Sequence, residues 1–128
     1  MAVLALAELA RRGGGSPVPI LEVAGCRGIP AHQVEQVFTA LRRSGLLQSQ
    51  RGVKGGYTLR RDPAEITILD VVEAVDGPIG GPEPADGCPV ALIWATGAER
   101  LAESFREVTV AEVAACEARR AEAPMFHI

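Results

Sequence analysis

The sequence predicts a mainly α-helical fold with one small β-hairpin, and three observations carry that reading. Two helical stretches, near residues 19–26 and 30–44, are joined by the short connection Arg27-Gly28. Directly behind them lies RGVKGGY, Arg51–Tyr57, three glycines and two cations set between short stretches that alternate apolar and polar residues. Further along, apolar residues from Val90 to Val108 recur at alternating threes and fours, the spacing of a long helix with one apolar seam.

The elements follow in order. Residues 2–12 read as an amphipathic helix, with Val3, Leu6 and Leu9–Ala10 on a repeating face. MAVLALAELA carries neither a basic leader nor a cleavage site, so it is not expected to be a signal core. Gly13-Gly14-Gly15 breaks the helix. The stretch 19–26 has Pro19 in its first turn and Ile20, Val23 and Ala24 inward. The next helix, from about Pro30 to Ser44, sets Val34, Val37, Phe38 and Leu41 on one face, with Gly45 just past its end. A helix pair with a short glycine-containing turn, the second helix displaying polar groups, has the layout of a helix-turn-helix.

Leu46–Gln50 and Tyr57–Arg61 are short candidate strands around the glycine-rich loop. Helix, turn, helix, hairpin is the order of a winged helix, and Tyr57 is expected to face inward and fix the wing. Thr67 and Asp70 have capping-box spacing and open a helix whose buried stripe reads Ile68, Val71, Val72 and Val75. Gly77-Pro78 ends it, and a Gly/Pro-rich loop runs to Gly87. A long helix starts at about Pro89, with Val90, Trp94, Gly97–Ala98, Leu101, Phe105 and Val108 along its seam. Thr109 and Glu112 repeat the capping-box pattern and open a last short helix to about Arg120. The predicted organisation is therefore a winged helix-turn-helix domain at 1–76, a loop at 77–88, a long helix and a short terminal helix at 89–120, and a tail at 121–128.

A chain of 128 residues, 48% hydrophobic and 23% charged, is the size and composition of one soluble globular domain. No apolar stretch approaches the ~20 residues that cross a bilayer, and the cytoplasm is the expected compartment. The net charge of −3 hides a division. Residues 1–61 hold nine Lys/Arg against three acids, a balance of +6, and residues 62–128 hold four Arg against thirteen acids, a balance of −9. Such a division suggests one half that faces a polyanion and one that avoids it. No Ser/His/Asp set, P-loop or HExxH is present, which speaks against an enzyme.

The exposed face of the 30–44 helix carries groups that can read base edges. Gln suits adenine, Glu accepts from cytosine, and His can donate or accept. His32, Gln33, Glu35 and Gln36 lie near its N-terminal end, where a recognition helix meets bases, while Arg42 and Arg43 at the other end suit phosphates. In the hairpin, Arg51 and Lys54 would neutralise phosphates, and the glycines would let the backbone lie close to them. Double-stranded DNA is the expected partner. A protein–protein adaptor with a winged helix is the alternative, but it would need neither a basic wing nor a charged recognition face.

The run GIPAHQVEQVFTALRRSGLLQSQRGVKGGYTLRRDPAEITILDVVEAVDGP, Gly28–Pro78, resembles the Rrf-two family of winged-helix transcription regulators, which includes IscR, NsrR and CymR. The resemblance continues through CPVALIW (Cys88–Trp94) and VTVAEV (Val108–Val113). It implies a homodimeric bacterial transcription factor, usually a repressor, and a dimer with this helix-turn-helix and wing is expected to read a roughly palindromic operator. It places Glu35, Gln36 and Arg51 at DNA-contacting positions and makes the helix after Cys88 the dimerisation helix. The dimer interface would then comprise Val90, Trp94, Leu101, Phe105 and Val108, with Trp94 as its anchor. The family's chains normally begin earlier, so that Met1 here falls within the helix matching their first. An aromatic usually stands where this chain has Gln33.

Cluster-binding members hold three cysteines in the loop before the dimerisation helix. This chain has none from Gly77 to Gly87, and only Cys88 matches, so no iron–sulfur cluster and no other cofactor is expected. Cys88 precedes Pro89 at a helix N-terminus, a setting that favours a thiolate, and a thiol-based redox regulator acting through Cys88 is a further alternative. Cys26, Cys116 and His127 are assigned no role. The residues name no effector and no operator sequence.

Overall fold

In a computed structural model that describes residues 1–12, 15–80 and 88–122, six helices and a two-stranded antiparallel sheet build the chain. They are α1 (Ala2–Arg12), α2 (Ile20–Arg27), α3 (Ala31–Arg43), β1 (Leu47–Gln50), β2 (Gly56–Leu59), α4 (Ile68–Asp76), α5 (Pro89–Arg106) and α6 (Val110–Glu122). The mainly α class with one hairpin and the winged-helix order are thus as the sequence predicts. The tail from residue 123 and most of the 77–88 loop lie outside the described residues.

Among the described residues the core is aliphatic around a single buried aromatic. Phe38, Leu6, Leu41, Leu47, Ile66 and Val23 are all buried almost completely. On α3 the i, i+4, i+7 residues Val34, Phe38 and Leu41 point inward, as a 3.6-residue repeat requires. Gly28 closes α2 at φ 64°, a left-handed conformation that glycine adopts freely, and this lets the chain turn at once into α3.

The hairpin is registered Leu47 against Leu59 and Ser49 against Tyr57. It is also stitched to the start of the domain: the Val18 N–H donates to the Tyr57 carbonyl (3.0 Å) and the Tyr57 N–H to the Val18 carbonyl (2.9 Å). The Tyr57 ring meets Phe38 edge-on, with centroids 5.0 Å apart, so the inward, wing-fixing role expected of Tyr57 has a geometric basis.

Both expected capping boxes form. Thr67 accepts from the Asp70 N–H (3.1 Å) while Asp70 accepts from the Thr67 N–H (3.0 Å). Thr109 and Glu112 exchange the same pair at 3.2 and 3.3 Å. The stripe on α4 differs from expectation: Leu69 and Val71 are buried, whereas Ile68, Val72 and Val75 are half-buried. The reason is that α4 is covered on two sides, by α1 and α3 within the body and by α5 outside it.

The sequence reading groups α6 with α5. Its packing places it instead in the winged-helix body, against α1, with Val110 and Ala114 buried. A backbone bridge leads it there. The Ile68 N–H donates to Val108 (2.9 Å) and the Val110 N–H to Ile66 (2.8 Å), so the segment before α4 holds the α5–α6 junction. Among the described elements only α5 is left outside the body, and none of its residues is buried.

Candidate nucleic-acid interface

The recognition face is the side of α3 opposite Val34, Phe38 and Leu41. His32, Glu35 and Gln36 are exposed there and Gln33 is half-buried. His32, Glu35, Gln36 and Thr39 border a shallow depression of about 390 Å³. Thr39 Oγ1 donates to the Glu35 carbonyl (2.8 Å), which leaves the Glu35 carboxylate free of that hydroxyl. Arg42 and Arg43 are exposed at the C-terminal end of α3, where the helix dipole also favours cations.

The wing is short and rooted. Gly52 takes φ 118° and its carbonyl accepts from the Gly55 N–H (2.9 Å), which closes the tip. A side chain at Gly55 would collide with the Gln50 carbonyl, and one at Gly56 with the Val18 backbone. This revises the sequence reading of these two glycines. They are required inside the protein, to close the hairpin and seat it on Val18, and not only to allow approach to a phosphate chain. Arg51, Gly52, Val53 and Lys54 are all exposed at the tip.

The charge division also sharpens. Arg11, Arg12 and Arg27 are consumed by ion pairs with Glu8, Glu22 and Glu117. Among the described residues, no carboxylate pairs with Arg42, Arg43, Arg51, Lys54, Arg60 or Arg61, although Arg61 donates to the Glu65 carbonyl at 3.2 Å. Within residues 1–61 the unpaired positive charge therefore collects at the end of α3, at the wing tip and at the wing root.

Sequence reasoning missed the paired group. Arg27 donates both Nη atoms to Glu117 (2.7 Å each) and Nη2 also to Glu8 (3.2 Å), joining α1, α2 and α6. Arg27 holds the Glu117 carboxyl below its ordinary range. The available signal was Glu8, an acid three residues after Ala5 on the buried side of α1.

Of the residues assigned to the interface, Val90, Trp94 and Leu101 on α5 and Val108 just past its end are exposed. Ile93, not among them, is as exposed as any, and it borders an apolar groove of about 690 Å³ with Trp94, Gly97, Leu101 and Ile79. Phe105 is less open than these. It is half-buried, as are Ala91, Ala98 and Ala102 on the same flank of the helix, and α4 is the main packing partner of α5. Cys88 is exposed at the N-cap of α5, and its side chain makes no capping hydrogen bond.

A helix-turn-helix with an exposed polar recognition face and a rooted basic wing defines a winged-helix DNA-binding transcription regulator rather than an enzyme. The family model described as "Rrf2: Iron-dependent Transcriptional regulator" matches residues 1–116, and the chain belongs to that family. It is 32% identical over 120 residues to the HTH-type transcriptional regulator IscR of Klebsiella pneumoniae, covering 88% of this chain and 74% of that one. Among solved structures it resembles T. potens IscR, at 27% identity and TM-score 0.79, over 98% of this chain and 88% of that one. It also resembles CymR, the global cysteine regulator of B. subtilis, at 28% identity and TM-score 0.76, over 89% and 90% of the two chains. Among the described residues no helix is long and apolar enough to cross a membrane.

Proposed function

We propose that the protein is a homodimeric, cytoplasmic repressor that reads a roughly palindromic operator, placing two α3 helices in successive major grooves and a wing beside each. The observation that carries this reading is the set of unpaired cations at the end of α3 and on a wing fixed to the core through Tyr57 and Val18. A recognition helix needs its flanks anchored on phosphates before its base-reading side chains can discriminate. A dimer lying across two grooves covers the DNA it binds, which is how such a protein excludes polymerase. The partner copy would meet α5, whose exposed Val90, Ile93, Trp94 and Leu101 form the apolar surface left outside the body. His32, Glu35 and Gln36 would read bases, with Gln33 at their edge, while Arg42, Arg43, Arg51 and Lys54 would hold phosphates.

The test is the salt dependence of binding to the DNA upstream of the protein's own gene. Arg51→Ala and Lys54→Ala are each expected to reduce the slope of log K against log salt by about 0.9, with binding weakened on every sequence tried. An unchanged slope in the double variant would sink the assignment of the wing.

The donor set does not fit an iron–sulfur cluster. The chain's three cysteines lie on α2 (Cys26), at the start of α5 (Cys88) and on α6 (Cys116), and a cluster needs several thiolates on one site. Among the described residues no three His, Cys, Asp or Glu side chains are grouped to hold a metal. We therefore propose that it regulates without a resident cofactor. Anaerobically purified protein is expected to lack the visible absorbance of a cluster, and a brown preparation carrying iron and sulfide would overturn this.

A further inference from the structure

We infer that Val53 is a DNA-contacting residue, an apolar tip that packs on the deoxyribose walls of the minor groove between two phosphate-neutralising neighbours. The inference rests on the DNA-binding reading above and adds to it a contact of a different chemistry. Val53 sits in the turn of the wing and is fully exposed, more so than any other large apolar side chain among the described residues. A β-branched apolar residue is a poor choice for such a turn, where Gly, Asn, Asp, Pro or Ser would serve the backbone better. It adds nothing to the free protein, since it is not part of the core. Where a sequence breaks a local rule without gain to the fold, the residue is expected to work on something outside it.

The geometry indicates what that is. Arg51 and Lys54 flank Val53 and are exposed with it, so whatever Val53 meets lies between negative charges. The hairpin beneath cannot swing freely, because Gly55 and Gly56 are packed on backbone and Tyr57 is bonded to Val18 in both directions. A minor groove, about 6 Å wide, has phosphates on its rims and apolar sugar C–H groups on its walls. A wing tip with a cation on each side of a small apolar side chain matches that order. Apolar side chains entering the minor groove are a recurrent device of DNA-binding proteins.

The two chemistries separate in a salt series. Burial of a methyl-bearing side chain releases no counterions, whereas loss of a phosphate contact does. Binding of a mixed-sequence duplex would be measured from low to moderate salt for the full chain and for Val53→Ser, Val53→Ile and Lys54→Ala. Val53→Ser is expected to weaken binding about five- to tenfold at every salt concentration, giving a line parallel to that of the parent. Val53→Ile should bind as well as the parent, and Lys54→Ala should lower the slope by about 0.9. All variants should melt with the parent, because the altered side chains are exposed. If Val53→Ser superimposes on the parent while Lys54→Ala is weakened, or if Val53→Ser changes the slope, this inference fails and the wing assignment stands. If Lys54→Ala also superimposes on the parent, both fail.

Discussion

Replacing Trp94 and Leu101 together by glutamate is expected to give a folded monomer whose affinity for a two-half-site operator falls about 10²- to 10⁴-fold, with binding to a single half-site unchanged. The reasoning starts from α5. An isolated helix of 18 residues gains most of its stability from an apolar face packed on something, and this one buries no residue within the protomer. Trp94 and Leu101 are 65% and 45% exposed, so they can be altered without opening the core. Gly97, exposed beside them, would let a second helix approach closely at the middle of the face. Glutamates there would have to be buried unpaired in a dimer, a cost that apolar contacts elsewhere on the face cannot offset. Sedimentation would report the mass and circular dichroism the fold. A dimer that survives both substitutions would refute this interface. Phe105→Glu supplies a contrast: Phe105 is half-buried on the flank nearer the body, so its loss should lower the melting temperature of the protomer.

The contrast between Trp94 and Phe105 also shows what the sequence can and cannot convey. Apolar spacing finds the seam of α5, because a 3.6-residue repeat places such residues on one side whatever covers them. It does not say which covering arrives from the same chain. Two apolar residues on one stripe can therefore belong to different interfaces. Local signals were read with more success. Thr67–Asp70 and Thr109–Glu112 cap the helices they open, since those hydrogen bonds close within four residues and depend on little else. The winged-helix order and the exposure of His32, Glu35 and Gln36 follow from periodicity as well. Long-range consequences were not legible. Gly56 looked like freedom for a wing and is a contact with Val18, 38 residues away in sequence. Arg27 looked like part of a turn, and its partner Glu117 is 90 residues distant. The surplus charge of the first half could be counted from the sequence, but which cations were already spent could not.

That hidden pair carries the second large effect. Arg27→Ala is expected to destabilise the protein by about 3 kcal/mol, because it leaves the Glu117 carboxylate without the cation beside it, while Glu8 keeps its pairs with Arg11 and Arg12. The Arg27 side chain is 14% exposed, Glu8 11% and Glu117 23%, so water screens the group only partly. Its fork grips Glu117 with two 2.7 Å bonds and reaches Glu8 with a third of 3.2 Å. Arg27→Lys keeps the charge but loses the two-pronged geometry, and should recover only part of the loss. The acid limb provides an independent check. Arg27 lowers the pKa of Glu117 in the folded state, so its contribution is complete above the unfolded value, near 4.5, and is lost as pH falls through the folded value. Glu117→Gln should therefore be less stable than the parent at neutral pH, with the difference shrinking as pH falls below 4.5 and through the folded value. Denaturant melts at the two pH values measure this directly, and a difference that does not shrink would show that the pair contributes through packing alone. The same three helices include α2, the first helix of the DNA-binding pair, tied here to α1 and to α6 behind it. Loosening the tie should therefore weaken DNA binding at a distance from every base-reading side chain. Because the loss would come from a recognition unit that is less often assembled, rather than from missing phosphate contacts, the salt slope of binding should stay that of the parent.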